Sequence, residues 1–180
     1  AKGFVIVYGT LNPQLTPYLK ERALKVADEW SGYGWEQLGG SFIHVYPDTA
    51  IEQNDIDTLN LWLIGGKREN RITQKLKNGN TRILNELRTA YSKEDFHSLI
   101  GLLQPHPTRW DGYVFIETGT GREAYGAEAR GVERMIYDYW IMNVDGKDNP
   151  VVSAGLLDNR WKWSKDGQII GSDMSPKRTR

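Results

Sequence analysis

The chain has 180 residues, 23 Lys plus Arg against 23 Asp plus Glu, and no cysteine. Its length is near that of one domain, and 39% apolar with 26% charged residues excludes a disordered coil and a uniformly cationic nucleic-acid coat. Without thiols there is no disulfide framework, no Cys-ligated zinc or iron–sulfur centre and no cysteine nucleophile.

In chain order, Phe4-Val5-Ile6-Val7-Tyr8 is an apolar β-rich run closed by Gly9 and predicts a buried strand. Thr16-Pro17 predicts a helix start, with Leu19, Ala23, Val26 and Trp30 at helical spacing and Gly32 and Gly34 as the stop. Residues 41–46 predict a second strand ending at Pro47-Asp48. Residues 59–64 predict a third ending at Gly65-Gly66. The stretch 68–91 carries Ile72, Leu76, Ile83, Leu84, Leu87 and Tyr91 on one stripe, broken into two helices at Asn78-Gly79-Asn80.

Leu99 to Leu103 reads as a helical turn or an edge strand, and residues 113–117 as a fourth long strand. Gly119 to Gly126 reads as a structural turn: it lacks the Gly-Lys-Ser/Thr ending of a phosphate-binding loop. Ala127 to Met142 predicts a helix whose apolar face is Val132, Met135, Ile136 and Tyr139. Short strands are expected at Val151-Val152 and Ile169-Ile170.

The expected architecture is α+β, in the mixed α/β sense. It is a small central sheet of about three to five strands flanked by helices, forming one globular domain over 1–180 with a flexible tail at 172–180. No apolar stretch approaches the ~20 residues of a membrane span. Ala1-Lys2-Gly3-Phe4 does not open a signal peptide, so no membrane partner and a cytoplasmic setting are expected.

Charge is balanced in total but not along the chain. Residues 1–64 carry net −4, residues 65–93 net +6, residues 94–159 net −6 and residues 160–180 net +4. A cationic block on one face attracts polyanions locally, although solvated helix faces are the plain alternative. Arg160-Trp161-Lys162-Trp163 interleaves cations with rings that could stack on bases or sugars, and Trp110 and Trp140 add to this aromatic half. The three histidines, His44, His97 and His106, show no metal-ligand spacing. No Gly-x-Ser-x-Gly elbow is present. Glu133 sits on the flank of the predicted 127–142 helix, where a carboxylate can hold a divalent cation, and Asn143 follows that helix. Arg130 and Tyr137, at i−3 and i+4, offer a surface pair instead.

Taken together, residues 41–155 resemble the GIY-YIG nuclease superfamily, in its restriction-endonuclease or toxin-module branch. The strands 42–46, 61–65 and 113–117 stand for the family's three strands, with Trp62 and Leu63 near the place of the second motif's tyrosine. An alternative register starts at Gly3-Phe4-Val5, with Tyr8 as the tyrosine.

The resemblance implies a metal-dependent endonuclease with nucleic acid as partner, DNA before RNA, and it leaves a homodimer open. Arg71 or Arg82 would clamp the phosphate, Tyr46 or His44 would help deprotonate water, Glu133 would hold Mg²⁺ and Asn143 would add a contact. Val7-Tyr8-Gly9-Thr10-Leu11 also resembles the substrate loop of γ-glutamylcyclotransferases, for which Glu117 would be the acid. A non-enzymatic binding domain, viral or bacterial, is the third expectation.

Overall fold

A computed structural model describes residues 4–32, 43–76, 82–87, 97–127, 137–145 and 151–170. The unbroken apolar runs form the middle of a sheet covered on both faces, which is why they show no polar alternation. β1 (Phe4–Tyr8), β2 (Val45–Pro47), β3 (Asn60–Ile64) and β5 (Tyr113–Gly119) pair in parallel. β4 (Ser98–Pro105), β6 (Tyr139–Asn143), β7 (Val151–Gly155) and β8 (Gln168–Ile170) complete the sheet with antiparallel pairings. The strand order is β2-β1-β3-β5-β4-β6-β7-β8.

Helices lie on both faces. α1 (Thr16–Gly32) sets Leu19, Ala23 and Val26 against Ile6, Trp62, Ile64 and Phe115. α5 (Arg122–Gly126) adds Ala124 and Tyr125 to the same cluster. On the opposite face, α2 (Gln53–Thr58), α3 (Arg71–Lys75) and α4 (82–87) bring Ile56, Ile72, Ile83, Leu84 and Leu87 onto Val5, Val7, Leu63 and Ile116. Among the described residues no helix is long and apolar enough to cross a membrane.

The sheet is larger than expected: one mixed sheet of eight strands replaces the predicted three to five. The sheet gains β4 from a segment read as a helical turn or an edge strand and β6 from one read as helix, while β7 and β8 contain the two short strands expected at Val151-Val152 and Ile169-Ile170. Leu99 to Leu103 is neither a helical turn nor an edge strand; it lies in β4, hydrogen-bonded to β5 and β6. The predicted helix over 127–142 is also overturned at its end, because Tyr139 to Met142 is extended in β6. Tyr139 and Ile141 point to one core, and Trp140 and Met142 to the other. A strand buried on both faces has no polar half, so its apolar residues also satisfied a helical stripe. Residues 78–80 and 128–136 lie outside the described residues.

Candidate functional site

The parallel strands deliver their carboxyl ends, and the loops that follow, to one edge of the sheet. In such sheets ligands bind outside those ends, near the point where successive connections leave on opposite faces. Here α1 links β1 to β2 on one face and α2 links β2 to β3 on the other, so that point lies between β1 and β3.

The chain fills this crevice with its own turn, residues 66–70. Asn70, fully buried, donates from Nδ2 to the carbonyls of Val7 (3.1 Å) and Ile64 (3.2 Å). Its Oδ1 caps α3 by accepting from the backbone N–H of Ile72 (2.9 Å) and Thr73 (3.2 Å). The backbone N–H of Leu11 donates to the Glu69 carbonyl at 2.9 Å. Gly9 permits the approach, since a Cβ there would lie 2.2 Å from that same carbonyl oxygen.

Asp48, at the end of β2, ties the other side. It accepts from the Thr10 backbone N–H (3.2 Å), the Thr10 hydroxyl (2.6 Å) and the Arg71 backbone N–H (2.7 Å). The Arg71 guanidinium, half-exposed, stands 3.9 Å from the Asp48 carboxylate.

Beside the filled crevice a cleft of about 280 Å³ remains open, walled by residues 66–69, by Leu84 and Asn85 of α4 and by Thr118 of β5. Lys67 and Arg68 bring two cations to this wall, and Glu69 one carboxylate. Thr118 is fully buried in its strand.

Farther along the edge, at the start of β4, His97 meets Asp145. The His97 backbone N–H donates to one carboxylate oxygen at 2.5 Å, and its Nδ1 lies 3.0 Å from the other. The hydrogen bond to Asp145, then its charge, raises the His97 pKa above the ordinary histidine value. The same contacts, led by the backbone hydrogen bond, lower that of Asp145.

The predicted site residues are spread along the molecule. Arg71 stands beside Asp48, at the carboxyl edge. Tyr46 is a half-buried β2 residue packed on the core, with the His44 ring stacked at 6.0 Å and His44 itself exposed. Arg82 is 76% exposed and paired with Glu86 one turn along α4. Asn143 ends β6, and its side-chain oxygen accepts from the Asp145 backbone N–H at 2.9 Å.

Glu133 lies outside the described residues. Among the described residues no group of three or more His, Asp or Glu side chains could hold a metal ion. Glu117, named for the cyclotransferase resemblance, is fully buried and ion-paired to Arg22.

Of the aromatic half, Trp140 is buried, Trp163 packs on the core and Trp110 is 96% exposed. Sequence reasoning missed Asn70, Asp48 and Thr118. The available signal was Gly65-Gly66 closing a strand four residues before an Asn at a helix start. The chain matches no family model, no curated protein and no solved structure.

Proposed function

We propose that the chain is a binding domain for a small phosphate-bearing molecule, held in the cleft between the 66–69 turn, α4 and β5. The observation that carries this reading is the placement of Lys67 and Arg68 on one wall of that cleft, at the carboxyl edge of the parallel strands. A guanidinium offers paired donors to phosphate oxygens and an ammonium a compact charge. Asn85, exposed on α4, supplies a neutral hydrogen-bonding group on the facing wall. The volume, about 280 Å³, is at the small end for ligand sites, which suits a mononucleotide or a smaller phosphate ester over a polymer.

Calorimetric titration with inorganic phosphate, a mononucleotide and an uncharged sugar tests the reading. Saturable binding of the phosphate ligands, weakened by salt and lost in a Lys67→Ala/Arg68→Ala variant, is expected. Equal binding of the sugar, or unchanged phosphate binding in that variant, overturns it.

The second reading is the metal-dependent endonuclease. Arg71 favours it: its half-exposed guanidinium and the exposed Lys75, one turn along α3, both lie within the +6 block. Its test is magnesium-dependent cleavage of plasmid DNA or of total RNA, abolished by Glu133→Ala and by Arg71→Ala. Absence of cleavage at any magnesium concentration removes it.

A further inference from the structure

β4 and β5 are joined by a hairpin, residues 105–113, at the opposite edge of the sheet from the cleft. The sequence is Pro105-His106-Pro107-Thr108-Arg109-Trp110-Asp111-Gly112-Tyr113. Prolines on both sides of His106 restrict its backbone, and the His106 N–H closes the loop on the Gly112 carbonyl at 2.9 Å.

Three ties seat the hairpin on the junction between α2 and β3. The His106 ring reaches the Ile56 carbonyl, Arg109 donates to the Thr58 carbonyl and the Tyr113 N–H donates to the Asn60 side chain. The loop holds Trp110, 96% exposed, out in solvent.

The backbone contacts of the His106 ring select one neutral tautomer. Its Nε2 is 2.8 Å from the Ile56 carbonyl oxygen, which can only accept, so Nε2 carries the hydrogen. Its Nδ1 faces the Thr108 backbone N–H at 3.3 Å, which can only donate, so Nδ1 is bare. The Thr108 hydroxyl lies 3.1 Å from the same nitrogen.

Adding a proton to Nδ1 sets two donors against each other and places a cation on a side chain that is 5% exposed. The charged groups facing the ring are Arg109 and Asp111 from its own hairpin and Asp57 from α2. Burial, the largest cause, outweighs the hydrogen bond to the Ile56 carbonyl and the two carboxylates, which favour the charged ring, and with Arg109 it holds the His106 pKa below the ordinary histidine value.

We propose that His106 is an acid-released latch: the neutral ring seats the 105–113 hairpin on the α2–β3 junction, and protonation frees the hairpin and Trp110. With the folded pKa lowered, the seat is complete above the unfolded histidine value of about 6.5 and is lost as pH falls through the folded one. Each unit of depression corresponds to about a tenfold rise in hairpin opening once both states are protonated. The latch stands apart from the phosphate reading, since it involves no residue of the cleft.

The test is a nitrogen–proton NMR titration of the intact chain from pH 8 to pH 4.5. The His106 ring, the Thr108 and Gly112 amides and the Trp110 indole should shift with one shared midpoint below 6.5. Hydrogen exchange at the Gly112 carbonyl's partner, the His106 amide, corrected for intrinsic rate, should rise as pH falls through that midpoint. In His106→Gln, which keeps a neutral donor but cannot titrate, the hairpin signals should stay flat with pH. Ring titration without movement of the hairpin amides overturns the latch, and so does an unchanged transition in His106→Gln. If His106→Gln does not fold, Thr108→Pro, which removes the opposing N–H, should raise the ring's midpoint, and no change there also overturns it.

Discussion

Arg22 and Glu117, 95 residues apart in the chain, form an ion pair with neither side chain exposed, under α1 and against β5. Arg22 Nε donates to one carboxylate oxygen at 2.7 Å, and the Trp62 indole donates to the other at 3.1 Å. A second guanidinium nitrogen donates to the Ala127 carbonyl at 2.9 Å, fastening the chain where it leaves α5. Removing either charge strands the other in the core. Glu117→Gln or Arg22→Met alone should therefore destabilise the protein by about 3–5 kcal/mol in urea unfolding. The double variant should be less destabilised than the sum of the singles. Additive losses would mean that the two charges do not depend on each other.

Asn70 allows a sharper test of the filled crevice, because its amide and carbonyl oxygen have different partners. Asn70→Asp keeps the cap of α3 but turns a carboxylate toward the carbonyls of Val7 and Ile64. The loss should be largest at neutral pH and should recover as the carboxyl protonates and can donate again. Asn70→Ala should cost about 2–3 kcal/mol at every pH, from the lost cap and two stranded carbonyls. Urea midpoints at pH 4 and pH 7 separate the two variants. A pH-independent Asn70→Asp would show that the amide does not hold the turn down.

Much of the first half of the fold was legible in the sequence, and the reasons are local. Phe4 to Tyr8 and Leu61 to Ile64 are short apolar runs ended by glycine, and Thr16-Pro17 starts a helix whose buried positions, Leu19, Ala23 and Val26, are those the spacing gave. The second half was harder for a physical reason. β4 and β6 are covered on both faces, so residues 98–105 and 139–143 carry no alternation to mark them as strands. The closed crevice was illegible because it depends on non-local contacts: Asn70 with Val7, and Asp48 with Thr10 and Arg71. Arg71 was singled out for its charge, whereas the fold uses its backbone N–H as a tie to Asp48.

His97 and Asp145 set a pH window of their own. The raised pKa of His97 means that its contribution is complete below the unfolded histidine value, about 6.5, and fades as pH rises through the folded value. The lowered pKa of Asp145 means that its contribution is present above the unfolded carboxylate value, about 3.9, and fades as pH falls through the folded one. The stability difference between the wild-type chain and Asp145→Asn should peak between about pH 4 and 6.5 and shrink toward pH 9. His106 acts in the opposite sense, so in His106→Gln the wild-type loss of stability below about pH 6.5 should be reduced. A flat difference for Asp145→Asn from pH 5 to pH 9 would remove the ion pair from the account.

Gly101 and Trp140 face each other across β4 and β6, and this pair predicts a coupled cost at the centre of the antiparallel half. A Cβ on Gly101 would lie 2.3 Å from the Trp140 ring, which is itself fully buried and cannot swing aside. Gly101→Ala should then cost about 1–3 kcal/mol through overpacking. Trp140→Phe shortens the ring system that crowds this position, and alone it should cost about as much by leaving a void. In the double variant the added methyl occupies part of that void. The two losses should fall short of additivity by about 0.5 kcal/mol or more. Full additivity in urea unfolding would show that the indole does not fill the space above the glycine, and with it the packing of β4 against β6 would need another explanation.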